Sequence, residues 1–319
     1  MKVNIPLSND NNYLIYKDVY NESFYFGTLL KEVFKEEPTM KLYNRRAYDT
    51  CYFRDLKELK KAVDFLKERN NEVKYAVNHP YPERFKEKIR KELSLVLENL
   101  KVDYIILEDL DLIDLVEKYD KKVFLSTRLA PLNKEEAKFF YNEIGKVLVG
   151  FVMPRQATTS EINEINEFCS KKGLKLEVFF ELGGCLNEER FCFFHELLDF
   201  KKNIEKKGVD YPICFNIFKS SNLFKGKIKS YGSIKDNFTC RACLIWDLIE
   251  RNNIYLKIVG RCFPNQRNYK VYKFAKKVIE NLNSENFEKF FFKNRISLLK
   301  SFGKLCDSDC PIFSFIENK

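Results

Sequence analysis

Histidine is almost missing from this chain of 319 residues: there are two, His79 and His195. With no HExxH and no GxSxG, the residues offer neither the helix-borne zinc hydrolase site nor the nucleophile elbow of a serine hydrolase. No GxGxxG or GxxxxGKS/T follows the first strand candidate, so the common phosphate-cradling loops are excluded too. The opening stretch "MKVNIPLSNDNNYLIY" places polar residues where the apolar core of a secretory signal would stand. No apolar run approaches the roughly 18 residues of a membrane span. The expectation is a cytoplasmic chain with no membrane partner, in a compartment where stable disulfides are uncommon. There is also no repeat of fixed period, and no shift in composition sharp enough to mark a linker.

What is present is ample apolar material and an unusual number of thiols. Hydrophobic residues make up 45% and aromatics 15%, enough for a sizeable core and against disorder. The formal charge of +10 suits RNA, an anionic small molecule, or simple solubility. Lysine-rich stretches such as "KELKKAVDFLKERN" intersperse acids at helical spacing, as solvated helix faces do. Ten cysteines in a reducing compartment point to metal or redox chemistry before a disulfide framework.

Short apolar runs alternate with longer amphipathic stretches. The runs "KVNIP", "SFYFGTL", "EVKYAVN", "DYIILED", "KVFLSTRL", "VLVGFVMP", "LKLEVFFEL" and, later, "IYLKIVGR" read as strands. "DLKELKKAVDFLKERN", "ERFKEKIRKELSLVLENL", "TTSEINEINEFCSKKG" and "NYKVYKFAKKVIENLN" read as helices, the third capped by Thr159 or Ser160 and ended by Gly173. Repeated strand–helix units imply a parallel sheet covered by helices, and so many in one run favour a TIM-like barrel over an open sheet. The expected architecture is α/β: an incomplete or distorted (β/α) barrel over residues 1–290, with a cysteine-rich C-terminal segment and a tail, 291–319, that packs on the same domain. In a barrel, functional residues gather at the C-terminal strand ends. That rule places Asn78, His79, Glu108, Asp109, Thr127, Arg128, Arg155 and the "ELGGC" segment on one face.

The cysteines fall into pairs. Cys185 and Cys192 are separated by six residues, Cys240 and Cys243 by two, and Cys214 lies between the pairs as a fifth potential donor. Four thiolates suit structural zinc or an iron–sulfur cluster. The C-x6-C spacing is longer than the C-x2-4-C usual in zinc fingers and is compatible with a loop around a larger cluster. Cys51, Cys169 and Cys262 read as small buried hydrophobes. Cys306 and Cys310, in "CDSDC", dock the tail, cap a second metal or are inert, a structural role being the first reading.

Five stretches, spread over roughly residues 100 to 280, together resemble the collagenase-like peptidase family U-32: "VDYIILEDLDLIDLV", "KVFLSTRLAPLNKEEAKFF", "VGFVMPRQATTSEINEI", "LEVFFELGGCLNEERFC" and "LKIVGR". The resemblance implies an incomplete (β/α) barrel whose cysteines bind a 4Fe–4S cluster in many members, with zinc as the alternative here. On that template Cys185 and Cys192 are the first two ligands, Cys214 the third and Cys240, 17 residues before Lys257, the fourth; Cys243 could replace Cys214 or Cys240. The better-understood relatives imply oxygen-independent hydroxylation of RNA pyrimidines or of a small aromatic substrate, and some members imply a related partner subunit. Two other readings stand beside it: a peptidase of unrecognised mechanism, and a non-catalytic cluster- or zinc-stabilised subunit that binds RNA or a partner.

The candidate catalytic residues are Glu177, His79, Arg155, Lys257 and Arg261. Lys257 and Arg261 are read on one strand face, holding an anionic group or pairing with Glu177 or Asp109. Glu177, near the start of its strand, is read as an ion-pair partner or as a catalytic carboxylate. His79 ends a barrel strand, where a catalytic role is open to it, while His195 is read as a packed residue.

Overall fold

The computed structural model describes residues 1–34, 52–78, 81, 83–154, 157–182, 239–240, 245, 248, 251–261 and 263–282. Eight strands, all parallel to their neighbours, close into a barrel: β1 (Lys2–Pro6), β2 (Ser23–Phe26), β3 (Glu72–Val77), β4 (Tyr104–Leu107), β5 (Lys122–Leu125), β6 (Leu148–Val152), β7 (Lys175–Phe179) and β10 (Ile254–Lys257). β10 lies between β7 and β1 and completes the cylinder. Between β7 and β10 the chain makes a small antiparallel pair, β8 (Glu181–Leu182) with β9 (Thr239–Cys240).

The strand cylinder is therefore complete, and the irregularity lies in the helical layer. Helices follow most strands: α1 (Lys31–Phe34) and α2 (Leu56–Lys67) after β2, α3 (Lys86–Asn99) after β3, α4 (Ile113–Lys118) after β4, α5 (Lys134–Ile144) after β5, α6 (Thr159–Lys172) after β6 and α7 (Asn265–Asn281) after β10. Between β1 and β2 there is instead a single 3-10 turn, Tyr13–Tyr16.

Each long helix turns an apolar stripe inward. α2 starts at Asp55, whose carboxylate accepts from the amides of Lys57 and Glu58, and buries Leu59, Ala62, Val63 and Leu66 at helical spacing. α6 is capped by Thr158, one residue earlier than the sequence suggests. Thr158 accepts from the amide of Glu161, whose side chain returns to the Thr158 amide, and that reciprocity selects it over Thr159 or Ser160. Gly173 ends α6 at φ 68°, a left-handed conformation that suits glycine.

The strands bury both faces, as a parallel sheet under helices must. Outward residues such as Val3, Phe24, Val73, Ile105, Val123, Leu176 and Leu256 join the helices in one large core. Inward residues form a second apolar group inside the barrel: Tyr25, Ala76, Ile106, Phe124, Val152, Phe179 and Val259. Among the described residues no helix is long and apolar enough to cross a membrane.

Candidate functional site

A cluster of four polar side chains, joined by Ser23 whose hydroxyl donates to Asn4 Oδ1, breaks the apolar filling of the barrel. Strand alternation turns Asn4, Lys74, Glu177 and Lys257 inward, and all four are buried. Glu177 lies at their centre. Its Oε1 accepts from Lys74 Nζ at 2.6 Å and from Asn4 Nδ2 at 2.8 Å, and its Oε2 accepts from Lys257 Nζ at 2.5 Å. The partners come from β3, β1 and β10, so the cluster ties together strands that are far apart in the chain.

Burial alone would raise the Glu177 carboxyl, but the attraction of Lys257 and Lys74 outweighs it and brings the group down to about 2. The two ammonium groups thus favour the ionised form of Glu177. Both lysines are shifted downward, which is unusual for ion-paired amines. Burial lowers Lys74 against the pull of Glu177, and brings Lys257 to about 8, with the like charges of Lys74 and Arg261 adding to the fall. Desolvation is the main cause, and one carboxylate paired directly with two ammonium groups does not offset it; Glu72 adds only a longer-range attraction on Lys74. Ring faces disperse part of the surplus. Lys74 Nζ sits 3.9 Å from the centroid of Tyr255 and 4.1 Å from that of Phe124, and Lys257 Nζ 4.0 Å from that of Tyr25.

Lys257 closes β10 at the C-terminal mouth. Arg261, read from the sequence on the same strand, lies beyond it: the strand stops at Lys257, and Gly260 at φ 111° starts a turn closed by the Phe263 amide on the Gly260 carbonyl. The turn still delivers Arg261 to the mouth, where Nη2 donates to Asn78 Oδ1 at 2.8 Å and the guanidinium lies 5.7 Å from the Tyr25 ring. A Cβ on Gly27 would stand 2.3 Å from Arg261 Nη1, so the absent side chain there makes room for the guanidinium. Glu108 and Arg128 form a largely buried ion pair at 2.7 Å, and Tyr81 donates to Asp109 at 2.5 Å.

Of the five catalytic candidates, the structure brings Glu177, Lys257 and Arg261 together. His79 and Arg155 lie outside the described residues, as does His195. Lys74 belongs to the same cluster and was not singled out from the sequence. Its signal was a lysine at an inward position within the buried strand "EVKYAVN".

Cys185, Cys192, Cys214 and Cys243 also lie outside the described residues, with Cys51, Cys262, Cys306, Cys310 and the tail 291–319. The backbone of Cys240 is described: it pairs with Glu181 in the β8–β9 ladder, and Thr239 pairs with Leu182. Among the described residues no group of three or more His, Cys, Asp or Glu is arranged to hold a metal. Cys169 is buried on α6 and burial pushes its thiol up to about 12, in keeping with a packing role.

A family model described as Peptidase family U32 matches residues 35–308. The chain belongs to peptidase family U32. Among solved structures, this U32 chain is similar to that of the U32 peptidase Mk0906, with a TM-score of 0.48 and 14% identity, covering 82% of this chain and 94% of that one. It is also similar to an IMP dehydrogenase/GMP reductase-like protein from Corynebacterium glutamicum, with a TM-score of 0.35 and 10% identity over 56% of each chain. None of the curated proteins matches it.

Proposed function

We propose that this U32 chain is an iron–sulfur enzyme that hydroxylates, without O2, a pyrimidine of RNA or a small aromatic compound. The observation that supports it most is the β8–β9 pairing. It sets Leu182, the residue before "GGCLNEERFC", opposite Thr239, the first residue of "TCRAC", so the two cysteine-bearing segments begin at paired positions. Cys185, Cys192, Cys240 and one of Cys214 or Cys243 would hold a 4Fe–4S cluster, four thiolates being a suitable donor set; zinc is the alternative metal. Such a cluster, when bound, supplies one-electron chemistry.

The chain's own residues fit this reading better than hydrolysis. Glu177 is held ionised by two lysines and is a poor general acid or base at neutral pH. Lys257 and Arg261 instead form a cationic mouth for an anionic substrate group. Hydroxylation replaces C–H by C–OH and removes two electrons from the carbon. The oxygen atom therefore comes from an oxygenated co-substrate, or from water with an electron acceptor.

Protein purified without air should be brown and carry about four irons per chain, and Cys185→Ala should lose iron while Cys169→Ala keeps it. Colourless protein with one zinc would overturn the cluster. Mass spectrometry of nucleosides from a strain lacking the gene distinguishes the substrates: a missing hydroxylated pyrimidine supports RNA, and an unchanged set with intact iron supports the small aromatic compound. Peptide release from gelatin that survives Cys185→Ala would favour a peptidase.

A further inference from the structure

We infer that the barrel mouth binds a small organic carboxylate, seated on Lys257 Nζ with Asn78 and Arg261 beside it, and that a nucleic-acid phosphate is not its ligand. This deepens the reading above by choosing between its two substrate classes, yet the binding it describes can be measured whether or not a cluster or a hydroxylation is found.

The argument starts from charge balance in the barrel. Lys74 and Lys257 share one carboxylate, Glu177, and among the described residues no other carboxylate is paired with either amine: Glu72 attracts Lys74 only at longer range and is itself paired with Lys2 and Lys175. A desolvated surplus of one positive charge is costly, and a bound monoanion relieves it. The two amines are not equally placed to receive one. Lys74 is fully buried at mid-strand and enclosed by Phe124 and Tyr255, whereas Lys257 is the terminal residue of its strand and its side chain retains 8% exposure. The approach is therefore from the mouth, onto Lys257.

The neighbours suit a carboxylate. Asn78 Oδ1 accepts from Arg261, which turns the Asn78 amide nitrogen away from the guanidinium as a donor, and that nitrogen has no acceptor among the described residues. Asn78 follows the last residue of β3 and Lys257 ends β10, so an amide donor and an ammonium stand at the same end of the barrel, the two kinds of donor that a carboxylate accepts from. The groups that face Lys257 are Glu177 from β7, Lys74 from β3, Tyr25 from β2 and Arg261 from the turn after β10. Depth excludes the polymer. Arg261 is 2% exposed and Lys257 6%, while surfaces that follow a nucleic-acid backbone present solvated cations along a groove.

The test is calorimetric titration of the full chain with acetate, pyruvate and benzoate, against inorganic phosphate and a short oligouridine. At least one carboxylate should bind. Its affinity should fall by about tenfold or more in Lys257→Met, fall in Asn78→Ala, and fall again as pH is raised past the Lys257 value of about 8. Lys257→Met leaves Glu177 and Lys74 as a balanced pair, so the variant should fold, and an unchanged thermal midpoint would separate lost binding from lost structure. Binding by oligouridine or phosphate alone, no binding by any of the three carboxylates, or carboxylate binding indifferent to Lys257→Met would each overturn the inference.

Discussion

Glu177→Gln removes the one anion that two buried amines share while keeping the shape of the side chain. Oε1 holds Lys74 at 2.6 Å and Oε2 holds Lys257 at 2.5 Å, so both ammonium groups lose their counter-charge at once. Breaking a buried ion pair from one side costs about 3–5 kcal/mol. The depression of the Glu177 carboxyl from 4.5 to about 2 leads independently to about 3 kcal/mol at neutral pH. With about 2–4 °C per kcal/mol for a chain of a few hundred residues, the midpoint should fall by roughly 6–12 °C. The pH dependence has a definite sign. A carboxyl lowered in the folded state contributes fully above its unfolded value, and that contribution is lost as pH falls from 4.5 through about 2. Urea unfolding of both proteins over that range should therefore show a gap that is wide at neutral pH and closes in acid. Lys74→Met added to Glu177→Gln should recover part of the loss, because one orphaned amine disappears. A single variant within about 1 kcal/mol of the native protein at neutral pH, with no closing gap in acid, would refute the charge argument.

Three further outcomes are expected. Glu92, buried on α3 and accepting from the Leu30 amide and the Tyr75 hydroxyl, is raised by burial to about 7 despite those bonds, so its contribution is fullest below 4.5 and is lost as pH rises through 7. Glu92→Gln should accordingly gain relative to the native protein as unfolding is measured at increasing pH, and a constant difference would contradict this. Gly27→Ala should displace the Arg261 guanidinium, which is the flexible end of a side chain, so the expected result is carboxylate binding weakened with a stability loss of about 1 kcal/mol or less. Thr158→Ala removes the hydroxyl half of the α6 capping box, leaving the Thr158 amide on Glu161, and should cost about 1 kcal/mol in denaturant unfolding, without altering binding at the mouth.

Most of the barrel is legible from periodicity, and the exceptions are instructive. The eight apolar runs are the eight barrel strands, and stripes such as Leu59–Ala62–Val63–Leu66 mark the helix faces. Strand ends are less legible. "IYLKIVGR" looks like one strand to its last residue, but Gly260 takes a positive φ and the strand stops at Lys257, because glycine allows a turn that the apolar pattern does not reveal. Of the two ion-pair partners open to Lys257 in the sequence, Glu177 and Asp109, the one it meets is Glu177. Lys74 is not legible in the sequence, because a single lysine in a strand looks like a solvated residue until the barrel closes around it.

The amino-acid order by itself determined the kind of molecule this is: alternating strands and helices, their inward and outward faces, and the cysteine pairs that frame the segment after β7. Those properties are local, set by side-chain period and by spacing along the chain. Tertiary structure alone decided which charges meet. Lys74 lies 103 residues from Glu177 and Lys257 lies 80 residues from it. Nothing in a two-residue period says which strands become neighbours across a barrel or in what register. Closing the cylinder placed two amines on one carboxylate, and the surplus charge that results follows from that closure.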